Sequence, residues 1–99
     1  MTPAISSIPE PLWLQQMPVG DPRRKARLAW LLDLCALYAS EDGRMTTLST
    51  RCGFSSSAIG KAKHVGAISP EMAIEIEKCL GRAWITREVL LPELFAVEA

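Results

Sequence analysis

Ninety-nine residues, 48% of them apolar, fit one folded domain with a small core and argue against a disordered chain. Basic and acidic residues balance at eleven each, which excludes a uniformly charged protein but leaves room for a charged face. No apolar run has the length of a membrane span, the N-terminus lacks the pattern of a signal peptide, and three widely spaced cysteines beside one histidine exclude a zinc motif.

Residues 1–20 hold four of the seven prolines with small polar residues between them, and read as a Pro-rich, irregular N-terminal arm. Within it, Leu12, Trp13, Leu14 and Met17 cluster, and the patch either folds back on the domain or serves a partner; folding back is the plainer expectation. The domain proper is expected over 21–95, with 96–99 as a tail. Asp21 followed by Pro22 is a good helix start, predicting a helix from Pro22 to about Ala39 with Leu28, Leu31, Leu32, Cys35 and Tyr38 on one face. Arg23, Arg24, Lys25 and Arg27 sit in its first turns, where cations oppose the helix dipole, so something else must favour them there.

Met45–His64 predicts two short helices about a turn at Gly53. Thr46 or Thr47 caps a helix over about 47–52, and a second runs over about 56–64 behind the serine run Ser55, Ser56, Ser57. This is the outline of a helix-turn-helix, with Leu48, Cys52, Phe54 and Ile59 as its core positions. After a linker at Val65–Ile68, Ser69-Pro70-Glu71 opens a helix whose apolar face is Met72, Ala73, Ile76, Cys79 and Leu80, with Gly81 as its stop. Thr86 caps a last short helix that halts before Pro92. No strand alternation and no internal repeat is evident, so the fold is expected to be all-α. Cys35, Cys52 and Cys79 are expected as small core residues with reduced thiols, which points to the cytoplasm.

The balanced total hides a strong asymmetry. Residues 1–21 carry −2, residues 22–70 carry +5 and residues 71–99 carry −3. Between 43 and 70 there are Arg44, Arg51, Lys61 and Lys63 and no acid. A basic face, rather than a basic total, is what phosphate contact needs. The serines lack a histidine–carboxylate arrangement across a cleft, since the sole His64 follows them along a helix. Glu75 and Glu77 read as ordinary solvated charges, so no enzyme and no cofactor is expected.

The chain resembles the Cro-like helix-turn-helix repressor family, in particular its YdaS-type prophage branch. The resemblance covers roughly 25–95. It is carried by Leu48, Cys52-Gly53-Phe54-Ser55, Ser57-Ala58-Ile59, Ile68-Ser69-Pro70-Glu71, Ala73-Ile74-Glu75-Ile76-Glu77, Leu80-Gly81, Ile85-Thr86-Arg87-Glu88-Val89-Leu90 and Pro92-Glu93-Leu94-Phe95. It implies a compact bundle of about five helices with a lambda-repressor-like helix-turn-helix, operator binding on double-stranded DNA, and control of a prophage or toxin–antitoxin-type operon. The chain departs from the branch at Gly60 and Ala62, in a linker about a residue short at 65–67, and in the arm.

In such a fold the start of the second helix of the motif reaches base edges in the major groove, which nominates Ser56, Ser57 and Lys61, with Gly60 allowing close backbone approach. Thr47, Arg51, Ser55, Lys63 and His64 are the expected phosphate contacts. Homodimers read paired half-sites, and Val89, Leu91, Leu94 and Phe95 are the expected dimer contact unless they cover the domain's own core. The rival reading is a protein-interaction adaptor that keeps the scaffold without binding an operator, favoured by Gly60, Ala62 and the apolar arm.

Overall fold

The computed structural model describes residues 5–39 and 42–95, and among these all regular structure is helical. The tail at 96–99 and the first four residues lie outside the described residues. After a 3-10 turn at Ile5–Ser7 come α1 (Leu12–Gln15), α2 (Asp21–Ala39), α3 (Met45–Arg51), α4 (Ala58–Val65), α5 (Pro70–Leu80), α6 (Arg87–Leu90) and α7 (Pro92–Phe95). Helix α2 is the spine: α3 and α4 pack on it and on each other, α5 lies against it, and α6 and α7 close the far end. The core joins Leu28, Leu31, Leu32 and Cys35 of α2 to Leu48 of α3, Ile59 of α4, Ala73 and Ile76 of α5, and Ile85 and Leu90 beyond. None of the described helices is long and apolar enough to cross a membrane.

The arm is more ordered than its prolines suggest. Ile5 and Leu14 are fully buried, Ile5 within the main core, while Leu12 and Trp13 stay exposed. Burying both side chains favours the folded-back arrangement by a few kcal/mol, on the order of 2 kcal/mol each. Glu10 reinforces it, accepting from Arg27 Nε at 3.1 Å and Arg23 Nη2 at 3.3 Å. This accounts for Arg23 and Arg27 in the first turns of α2, which answer a carboxylate from the arm, while Arg24 pairs with Asp21 of the helix itself. Arg27 also donates from Nη1 to the Val89 carbonyl at 2.9 Å, so one side chain joins arm, α2 and α6.

Helix starts follow local chemistry at one end of the domain and tertiary chemistry at the other. Ser69 Oγ accepts from Met72 N at 3.1 Å with Pro70 in the first turn, and Thr86 Oγ1 accepts from Val89 N at 3.3 Å, both as the sequence predicts. Asp21 lies inside α2 rather than before it. Neither Thr46 nor Thr47 caps α3, which begins two residues earlier than expected. Instead, Asp42 precedes it, accepting from Arg44 N at 3.0 Å and Thr47 Oγ1 at 3.3 Å.

Helix α4 begins two residues later than expected, because Ser57 makes no side-chain cap. The amide that such a cap would take, Ile59 N, donates to Ser49 Oγ of α3 at 3.1 Å, and Ser49 Oγ in turn donates to the Met45 carbonyl at 2.9 Å. Ser49 is completely buried, so a hydroxyl inside the core fixes how α4 meets α3. Between them Gly53, at φ +85°, closes α3: Gly53 N reaches the Thr50 carbonyl and Phe54 N the Ser49 carbonyl, at 3.1 and 2.9 Å.

Two expectations about α5 fail. Cys79 is exposed, its Sγ 3.6 Å from the Arg51 carbonyl, whereas Cys35 and Cys52 are buried and their thiols are pushed up to about 12, chiefly by burial. Glu77 is not a solvated charge. It lies on the same stripe as Ala73, Ile76 and Leu80 and is 4% exposed. Its carboxylate accepts from Arg87 Nη2 at 2.9 Å, Arg87 N at 2.7 Å and Arg82 Nη1 at 2.7 Å. The Arg87 side chain, then the Arg87 amide and Arg82, hold this carboxyl down at about 2 against burial. Arg82 also pairs with Glu88 at 3.3 Å, and the Arg87 guanidinium lies 5.7 Å from the centre of the Phe95 ring.

Candidate nucleic-acid interface

The nominated residues part company around α4. With residues 58–65 helical and Ile59 buried against Ser49, Gly60, Lys61 and His64 fall on the side turned away from the core. There they meet the first turn of α3. Met45, Thr46, Ser56, Ser57, Gly60, Lys61, His64 and Val65 line one open groove of about 460 Å³. Four of the eight nominated contacts, Ser56, Ser57, Lys61 and His64, are therefore brought together, and no carboxylate lines the groove with them. Lys61 is exposed, and its side-chain ammonium has no hydrogen-bond or ion-pair partner among the described residues. Ser55, also exposed, stands just outside, its carbonyl accepting from Ala58 N at 3.1 Å.

The other two nominated cations, Lys63 and Arg51, are committed elsewhere. Lys63 Nζ lies 2.6 Å from Asp33 Oδ1, bridging α4 to α2 on the flank. Arg51 donates from Nη1 to the Ala39 carbonyl, closing the C-terminus of α2, and lines a separate cleft of about 510 Å³ with Tyr38, Cys79 and Trp84. Thr47 is occupied by Asp42. With Asp33 and Asp42 drawn in from neighbouring segments, the surface presents fewer free cations than the residue count over 43–70 suggests.

Three groove residues escaped the sequence reading. Met45 and Val65 carry no chemistry that marks them, and Thr46 was read only as a cap. Helix phase is the signal that finds them: once Leu48 and Ser49 point inward, Thr46 must stand on the outer side of α3. Ser49 itself was hidden because a serine beside Leu48 reads as surface. The floor of the groove is built by Met45 and Gly60, and a Cβ added at Gly60 would meet only Met45 Cβ, at 3.9 Å.

The four residues expected at a dimer contact do not share one environment. Val89, Leu91 and Phe95 are half-buried against the core, and Leu94 alone of the four is exposed, at 57%. Leu94 belongs to a broader set of exposed apolar side chains that includes Leu12, Trp13 and Val19. No protein-family model, no curated protein and no solved structure matches the chain.

Proposed function

We propose that this chain is a sequence-specific DNA-binding transcriptional regulator, a Cro-like repressor of a prophage or toxin–antitoxin-type operon, acting in the cytoplasm. The observation that carries the reading is the groove, with no carboxylate in its lining, in which α4 and the turn before it set Lys61, His64, Ser56 and Ser57 beside Thr46 of α3. The helix-turn-helix likeness of 45–64 and the motifs at 68–95 support it. In this reading α4 enters the major groove, Lys61 reaches the acceptors of guanine, and the serine and threonine hydroxyls serve bases or phosphates on either side. Two copies, meeting in part through Leu94, would place two such helices on paired half-sites.

The test is fluorescence anisotropy of the full chain with the DNA upstream of its own gene against a scrambled duplex, at low and moderate salt. Preference for the native fragment, lost in Lys61→Ala, is the expected result. Equal and steeply salt-sensitive binding to both duplexes would reduce the claim to a basic surface. No binding to either would overturn it.

One observation favours the adaptor as a second reading. Arg51 and Lys63 are held by internal partners, and the groove floor is apolar, which suits a protein side chain as well as a base.

A further inference from the structure

The three cysteines, far apart in sequence, meet at one place in the fold. Cys35 of α2 is fully buried, Cys52 is the residue that ends α3, and Cys79 lies in the last turn of α5. Of the three, Cys79 alone is exposed, lining the cleft of about 510 Å³ with Arg51, Tyr38 and Trp84. The last turn of α3 leaves carbonyls in need of donors. Cys52 N, Gly53 N and Phe54 N answer those of Leu48, Thr50 and Ser49, and the Arg51 carbonyl receives the Cys79 thiol, with Sγ at 3.6 Å. That oxygen sits on the carbon bonded to Cys52 N, so the contact sets the Cys79 sulfur against Cys52. The two thiols are neighbours: after burial, the hydrogen bond and the charge of Cys79 help push the Cys52 thiol up to about 12.

We infer that Cys79 and Cys52 are a thiol–disulfide pair oxidised by hydrogen peroxide, joining the end of α3 to α5. Access assigns the roles. The Cys79 sulfur, reached through the cleft, attacks one peroxide oxygen and the O–O bond breaks. The departing hydroxide takes the thiol proton and leaves as water, and Cys79 becomes a sulfenic acid. The Cys52 sulfur then attacks the Cys79 sulfur, the S–O bond breaks, and the second hydroxide leaves as water with the Cys52 proton. Two thiols lose two electrons and one peroxide gains them, while the fully buried Cys35 stays a thiol. The new bond closes a loop over 53–78 that contains α4, so it restricts the unfolded chain and stabilises the fold. It also braces α3, the helix that brings Met45 and Thr46 to the groove. The pair stands whether or not the chain binds DNA.

The experiment treats the full chain, reduced and freed of reductant, with one equivalent of hydrogen peroxide, then alkylates the remaining thiols and digests with trypsin. The three cysteines fall in separate tryptic peptides, 28–44, 52–61 and 79–82. The expected product is a monomer lighter by two hydrogens before alkylation, with 52–61 joined to 79–82 and Cys35 alkylated. Its Tm should rise by about 10 °C, and dithiothreitol should reverse both changes. Cys79→Ser, a change at an exposed side chain, should fold and show neither the cross-link nor the Tm shift. A bond from Cys79 to Cys35, or one formed only between two chains, would overturn the pairing. A sulfenic or sulfinic acid on Cys79 with Cys52 still alkylated would overturn it as well. A cross-link between Cys52 and Cys79 that leaves Tm unchanged or lower would overturn the brace.

Discussion

In the α5–α7 region, Arg82 and Arg87 converge on the buried Glu77 carboxylate, and Arg87 also covers Phe95. In the α3–α4 region, Lys61 stands exposed in a groove without carboxylates, while Lys63, two residues along the same helix, is tied to Asp33. The same kinds of residue serve as internal rivets in one region and as an open surface in the other. A cation's availability is decided by which acid the fold brings within reach, and counting charges along the chain does not reveal that.

Breaking the rivet should have the largest effect. Glu77→Ala strips one acceptor from two guanidiniums and from the Arg87 amide, and should cost about 2–4 kcal/mol in urea unfolding, tempered by the partial exposure of the arginines. The pH dependence has a definite sign. The carboxyl titrates near 4.5 when unpaired and at about 2 in the fold, so the unfolded chain binds the proton first as pH falls. The stabilisation is complete above about pH 5 and disappears as pH drops to about 2, amounting to roughly 3 kcal/mol at most. Glu77→Gln should flatten that acid limb; an unchanged limb would mean that another carboxylate governs it.

Ser49→Ala tests the link between the two helices of the groove. It leaves Ile59 N without its partner, and about 1–2 kcal/mol of stability should be lost, with faster amide exchange at Ile59 as the local readout. Gly60→Ala works in the opposite direction. Its methyl has room against Met45, so a gain of about 0.5–1 kcal/mol in unfolding free energy is expected. A loss would show that the α4 backbone is tighter there than the 3.9 Å contact indicates.

The fold was legible wherever the determining chemistry is local. Ser69-Pro70 and Thr86 start their helices because a cap needs only the next three residues, and Gly53 ends α3 because its φ suits glycine. What escaped depends on residues far apart in sequence. Ser49 replaces the serine cap of α4 across a turn, Lys63 meets Asp33 thirty residues away, and Glu10 meets Arg27 from the arm. Glu77 was half visible, since its spacing from Ala73 and Leu80 puts it on the buried stripe, but its partner Arg87 lies beyond a chain reversal. Of the candidate site, the α4 residues were readable from the motif, whereas the contribution of α3 required knowing its phase.

The contrast between two lysines on α4 gives the most direct measurement. Lys61→Ala and Lys63→Ala should be titrated beside the parent chain against the same upstream duplex at low salt. Each should unfold within about 0.5 kcal/mol of the parent, as exposed or surface-paired charges do. The account predicts that Lys61→Ala loses about tenfold in affinity and Lys63→Ala less than about threefold, because only Lys61 faces the groove uncommitted. Equal losses would contradict it by making the whole helix a diffuse basic surface, and no loss in either would remove α4 from the interface.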